Sequence, residues 1–231
     1  MAAKPKSPKA PCKQLLIVDD HPMMRTGLAQ LIDSENNLQV AAEADNAGQA
    51  VTAVTKQQFD LALVDISLPD KNGLELIKDL RALSPELPIL VVSMHDEMIY
   101  AERVLRAGAR GYIMKQEGGQ KFVQAIRHVL AGHVFVSEKI SARVLENLAG
   151  KTAANSSSLV RQLSDREFEV FQLIAQGAAS RKIAARLHVS IRTVESHRAN
   201  IKQKLKLATA NELVRFAVRW HDSQQGAQPG T

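Results

Sequence analysis

Between residues 13 and 132, five short apolar runs alternate with stretches of helical spacing, and this alternation restricts the fold more than any other feature of the chain. The runs at 15–18, 38–42, 61–64, 88–92 and 111–114 have the length and branching of strands. Helical intervals fill 22–32, 47–56, 73–83, the stretch up to Arg106, and 120–131, with Gly108 placed to close the fourth helix. Strands joined by such helices run parallel, and a parallel sheet is covered on both faces. Leu61-Ala62-Leu63-Val64 fits that burial because it has no polar position to turn toward water. A doubly wound α/β sheet is expected, its strand order left open.

In such sheets, ligands bind at the C-terminal ends of the strands. The first strand ends in Asp19-Asp20, the third in Asp65, the fourth in Ser93 and the fifth in Lys115. Three carboxylates converging on one edge repel each other unless a cation lies among them. A hard divalent ion with oxygen ligands, Mg2+ above all, meets that need. Lys115 would neutralise further charge, and the Ser93 hydroxyl could bond an added phosphoryl oxygen. A phosphatase of the haloacid dehalogenase type would carry a second carboxylate two positions after Asp65 as its general acid, but Ser67 stands there. His21, with no second His or Cys nearby, reads as a supporting or merely solvated residue.

The chain of 231 residues has room for a second domain, and charge separates the two halves. Residues 13–134 carry a net −4, whereas 159–231 carry +6. Residues 1–12, with three lysines and no acid, read as a disordered basic tail, and 222–231 as a disordered tail without basic residues. A linker is expected over 135–158, first a short amphipathic helix with Ile140, Val144, Leu145 and Leu148, then flexible coil over 150–158. Gly150-Lys151-Thr152 is not a phosphate loop, because Leu145 occupies the position of that motif's first glycine. No run approaches the ~18 apolar residues of a membrane span. The N-terminus lacks the apolar core of a secretory signal, and the single Cys12 suits a reducing compartment, so a cytoplasmic protein is expected.

The basic half, 159–221, reads as four helices. Ser164-Asp165-Arg166-Glu167 is a capping box ahead of Phe168, Phe171, Leu173 and Ile174, and Gly177 ends that helix. A short helix over 180–187 turns Ile183, Ala184 and Leu187 inward, Ser190 caps a third helix reaching about Lys206, and 211–220 form a fourth. A short helix, a tight turn and a basic helix make a helix-turn-helix, whose second helix enters the major groove of DNA. On the third helix Val194, Ile201 and Leu205 share one narrow sector, with Arg192, Ser196, Ala199 and Gln203 roughly opposite.

Residues 13–134 resemble the receiver domain of two-component response regulators, a flavodoxin-like (βα)5 fold. The resemblance implies that Asp65 is the phosphoacceptor, loaded from a histidine of a sensor histidine kinase. It also implies Mg2+ held by Asp20, Asp65 and the backbone carbonyl of Ser67, with Asp19 acting mostly through water. Lys115 would pair with the phosphoryl oxygens, Ser93 would move to bond one, and Tyr112 would follow Ser93 as an aromatic switch. Ser67 and His95 would flank the site and tune the phosphoryl lifetime, or His95 is simply a solvated loop residue.

Residues 159–221 resemble the LuxR-type helix-turn-helix domain. The carriers are Leu163-Ser164-Asp165-Arg166-Glu167, Ile174-Ala175-Gln176-Gly177, Lys182-Ile183-Ala184-Ala185-Arg186-Leu187 and Ser190-Ile191-Arg192-Thr193-Val194-Glu195-Ser196-His197. Together the two resemblances identify the chain as a member of the NarL/FixJ-type response regulators. Such a protein is a transcription factor, not a turnover enzyme, because it holds and loses its own phosphoryl group. The DNA-facing set is Arg192, Thr193, Glu195, Ser196, Ala199, Asn200 and Lys202. Within it Glu195, Ser196 and Ala199 are implied as base contacts, and Lys202, with Lys204 and Lys206, is placed for phosphates. Expected partners are the kinase, double-stranded DNA, RNA polymerase and a second copy, met through a receiver face or through the last helix, where Leu213, Val214 and Ala217 either meet that copy or only close the domain core. The rival reading is an adaptor whose basic helices bind an acidic protein.

Overall fold

A computed structural model describes residues 12–148, 159–160, 162–187 and 189–225. The chain divides into two compact units, Met1–Ser141 and Ala142–Thr231.

In the first unit, strands β1 (Lys13–Val18), β2 (Leu38–Ala44), β3 (Leu61–Val64), β4 (Ile89–Ser93) and β5 (Gly111–Met114) alternate with helices α1 (Pro22–Asp33), α2 (Ala47–Lys56), α3 (Gly73–Leu83), α4 (Glu97–Ala107) and α5 (Gly119–Leu130). All strand pairs are parallel and the order is β2-β1-β3-β4-β5, the flavodoxin-like solution. Leu15, Ile17, Leu61, Leu63, Leu90, Val92 and Ile113 share one buried cluster with Leu28 and Ile32 of α1 and Phe122, Ala125, Ile126 and Val129 of α5. The intervening residues Leu16, Val18, Ala62, Val64, Val91 and Tyr112 are equally buried, on the opposite face. β2 runs two residues past its expected end at Ala42. A register shift between Leu15 and Leu16 skips Ala41 in the pairing, which breaks the alternation a sequence reading relies on.

Side-chain caps start three of these helices. Asn46 accepts from the Gln49 N–H, Asn72 from Leu74 and Asp96 from Met98. α3 begins directly behind β3: a Cβ on Gly73 would lie 2.4 Å from the Asp65 carbonyl oxygen, so only glycine permits this approach.

Residues expected to open the linker stay on the sheet. Phe135 forms a parallel bridge with Gly111; its N–H donates to the Arg110 carbonyl at 3.0 Å and its carbonyl accepts from the Tyr112 N–H at 2.8 Å. Helix α6 (Glu138–Leu148) follows, with Ile140 buried, Val144 half-buried and Leu145 exposed. The coil expected over 150–158 lies outside the described residues.

The second unit contains α7 (Asp165–Ala175), α8 (Ser180–Arg186), α9 (Ile191–Leu205) and α10 (Ala210–Gln225). α7 packs on both α9 and α10, and α8 packs on α9. The capping box at Ser164 and Glu167 forms in full, and Gly177 follows the C-terminal end of α7 with a φ of +78°. Trp220 meets Phe168 and Phe171 edge-on at 5.8 and 5.3 Å, which makes it a core residue. Leu213 and Ala217 are fully buried and close this core. Of the two readings of these residues, core closure holds for Leu213 and Ala217, while Val214 and Val218 are exposed on α10. α10 also runs to Gln225, so residues 222–225 are helical and not tail. Neither Gly nor Pro interrupts the chain before Gly226, and the Ser223 hydroxyl donates to the Trp220 carbonyl at 2.7 Å.

Candidate functional site

The sheet delivers the acidic residues to one edge by extending its own ladders. The Asp65 N–H donates to the Val18 carbonyl at 2.8 Å, that of Asp19 to Ala44 at 3.1 Å, and that of Lys115 to Ser93 at 2.8 Å. Asp19, Asp65 and Ser93 are buried. The Lys115 ammonium lies 2.6 Å from Asp19 Oδ2 and 2.8 Å from Asp65 Oδ2. Burial pushes the Asp65 carboxyl above the ordinary carboxylate value; Lys115 opposes the shift and the charge of Asp19 reinforces it. Burial would lower the Lys115 pKa, but the two carboxylates outweigh it and hold the ammonium above its ordinary value.

Asp19, Asp20, His21 and Asp65 offer ligand atoms that all lie within 4.8 Å of one another. His21 Nδ1 is 2.6 Å from Asp20 Oδ1, and the His21 N–H donates to Asp19 Oδ1 at 2.9 Å. Asp19 Oδ2 and Asp20 Oδ1 are buried and receive no well-directed hydrogen bond, although Lys115 and His21 stand beside them at ion-pair distance. Buried carboxylate oxygens with lone pairs to spare suit a hard cation, so the donor set fits Mg2+. Arg25 on α1 donates to the Asp19 carbonyl at 2.6 Å and braces this loop, a role with no signal in the sequence.

Ser93 and Tyr112 meet beneath the next loop. The Tyr112 hydroxyl donates to the His95 carbonyl at 2.7 Å, and the His95 N–H donates to Ser93 Oγ at 3.2 Å. Burial holds the Tyr112 phenol well above its ordinary value, and the Ser93 side chain bonded to it only partly offsets this. Ser67 Oγ and His95 Nε2 lie 2.9 Å apart, and the Ser67 N–H donates to Asp65 Oδ1 at 3.3 Å. The two residues expected to flank Asp65 therefore touch each other, and His95 is not simply a solvated loop residue.

In the second unit α9 buries Val194, Ile201 and Leu205, the expected stripe. Arg192, Glu195, Ser196, Ala199 and Asn200 are exposed, and Lys202 is half-buried. Glu195 sits loosely by Arg198 at 3.8 Å, and the Ser196 hydroxyl donates to the Arg192 carbonyl at 3.0 Å. Thr193 is drawn into the cap: its N–H donates to Ser190 Oγ at 3.0 Å and its hydroxyl lies 2.7 Å from the same atom.

The response regulator receiver domain family matches residues 15–127, and the luxR family of bacterial regulatory proteins matches 161–217. The oxygen regulatory protein NreC of Staphylococcus carnosus (strain TM300) is 33% identical over 210 residues, 89% of this chain and 97% of that protein. The chain belongs to the NarL/FixJ-type response regulators. Among solved structures, a LuxR-family two-component response regulator from Aurantimonas sp. SI85-9A1 is 32% identical with a TM-score of 0.55, over 60% of this chain and 99% of that one. RcsB, solved as two dimers bound to two parallel DNAs, is 25% identical with a TM-score of 0.55, over 89% of this chain and 97% of its own.

This response regulator thus joins a receiver domain to a LuxR-type DNA-binding domain. One expectation for the DNA face needs correction. Lys204 is not free for phosphates, because its ammonium lies 2.6 Å from Glu167 Oε2, the buried carboxylate of the capping box. None of the described helices is long and apolar enough to cross a membrane.

Proposed function

We propose that this response regulator accepts a phosphoryl group on Asp65 from a sensor histidine kinase. The modification switches dimerisation and sequence-specific DNA binding, and thereby transcription. The observation that carries the reading is Asp65 itself, a carboxylate buried at the end of the central strand with Lys115 at 2.8 Å and Asp19 and Asp20 beside it. A carboxylate oxygen of Asp65 attacks phosphorus, the phosphorus–nitrogen bond to the kinase histidine breaks, and that imidazole leaves to take up a proton. Mg2+ held by Asp20, Asp65 and the Ser67 carbonyl, with Asp19 acting through water, would neutralise charge on the transferring group. Lys115 pairs with its oxygens, and Ser93 bonds one of them.

The protein keeps and later loses this one group, so it is a switch and not a turnover enzyme. It acts in the cytoplasm. Pairing two basic domains on a twofold site multiplies affinity without new base contacts, in keeping with the RcsB dimers on DNA. Once bound, it works through RNA polymerase. Incubation with Mg2+ and a small phosphodonor should label the wild type and leave Asp65→Asn unlabelled. Equal labelling of the mutant would move the acceptor to another residue.

A further inference from the structure

The geometry points to residues 135–137 as a strap that reports the state of the Asp65 site to α6, with Glu97 as the residue that couples the two. The inference rests on the phosphoryl transfer to Asp65 proposed above. The strap lies along β5, held by the Phe135 N–H to the Arg110 carbonyl at 3.0 Å and by the Tyr112 N–H to the Phe135 carbonyl at 2.8 Å. Its contact with the sheet is close: a Cβ on Gly111 would come within 2.8 Å of the Phe135 oxygen. At its far end the Ser137 N–H donates to Glu97 Oε1 at 2.8 Å. Ser137 then starts α6, its Oγ accepting from the Ile140 N–H at 3.3 Å and its carbonyl from the Ser141 N–H at 3.0 Å.

Glu97 is the first residue of α4, so it ends the loop that leaves Ser93 and carries His95. Besides the contact of His95 with Ser67, two ties bear on the strap. The Tyr112 hydroxyl holds the His95 carbonyl, and the Ser137 N–H holds the Glu97 carboxylate. Tyr112 therefore touches both partners, the loop through its side chain and the strap through its backbone. A cavity of about 40 Å³ lies among Glu97, Tyr112, Met114, Phe135 and Ser137, at this joint.

A phosphoryl oxygen on Asp65 draws the Ser93 hydroxyl toward it and away from Tyr112. The loop follows, the Glu97 carboxylate leaves the Ser137 N–H, and the strap loosens at the residue that caps α6. The acceptor in that bond is a charged carboxylate, so its loss weighs more than that of a neutral hydrogen bond.

Amide hydrogen exchange of the full chain, read residue by residue with and without Mg2+ and acetyl phosphate, tests this. Phosphorylation should speed exchange at Ser137 by about tenfold, the factor expected when one charge-assisted hydrogen bond is lost. Glu97→Ala should exchange fast there without any phosphodonor. Glu97→Gln keeps a carbonyl acceptor and should stay slow until the donor is added. The mass of the intact protein in the same samples reports labelling of Asp65. An unlabelled Asp65 would sink the phosphoacceptor reading and the strap with it. A labelled Asp65 with unchanged exchange at Ser137, or a Glu97→Ala protein that exchanges as slowly as wild type, would overturn the strap alone.

Discussion

Asp65 is buried beside a cation and still binds its proton more tightly than a free aspartate does. Burial dominates, Lys115 offsets only part of it, and Asp19 adds repulsion. A carboxyl raised in the folded state favours folding fully below its ordinary value of 3.8, and that contribution is lost as pH rises through the folded value. At neutral pH the ionised Asp65 is therefore a burden on the fold. Asp65→Asn should melt at a higher temperature than wild type at pH 7 in buffer free of divalent cations, and the gap should close toward pH 4. Adding Mg2+ should then stabilise the wild type and leave the mutant unmoved. On the DNA side, Glu195 is exposed and only loosely paired, so its carboxylate is available to accept from a cytosine amino group. Glu195→Ala should shift base preference by ~1–3 kcal/mol at one position in a selection from random DNA. Lys202→Ala should weaken all sequences alike and flatten the salt dependence by about one unit.

At the scale of the element, α9 is held by its apolar stripe and by one ion pair. Ile201 is fully buried, and Ile201→Ala should cost about 2–4 kcal/mol in urea unfolding. Burial alone would raise the Glu167 pKa, but Lys204 and Ser164 outweigh it and leave it lowered. Its contribution is thus present above 4.5 and lost as pH falls through the folded value. Lys204→Ala strips that carboxylate of its cation and should destabilise by about 1–2 kcal/mol, less than for a fully buried pair because Lys204 is 39% exposed. The spans of β3, α2 and α3 were legible in the sequence because the apolar spacing that defines each lies within its own segment. The acidic pocket was legible because Asp19, Asp65 and Lys115 each directly follow a strand, with Asp20 next to Asp19. The Lys204 partner was not, since Glu167 lies 37 residues away and reads locally as a capping residue. The pairing of Phe135 escaped too, because it is made by backbone atoms that carry no side-chain signature.

For the whole molecule, an acidic receiver and a basic DNA-binding domain share one chain, so the proposed phosphorylation and DNA binding should respond differently to conditions. Chelating Mg2+ should abolish labelling while leaving salt-sensitive retention on DNA-cellulose in place. Sedimentation with Mg2+ and phosphodonor should show the wild type shifting toward a dimer and Asp65→Asn remaining where it began. The position of Asp65 in the sheet also decides where a disturbance can travel. β3 is paired to β1 on one side and β4 on the other, its side chains are buried on both faces, and Gly73 leaves no clearance behind the Asp65 carbonyl. A load applied at Asp65 therefore meets a footing too stiff to absorb it. A disturbance there is passed on rather than taken up, and the bonded way out runs through the loop after β4, where His95 is joined to Ser67, Ser93 and Tyr112, so the sheet behaves as an anvil that hands the blow to what rests on it.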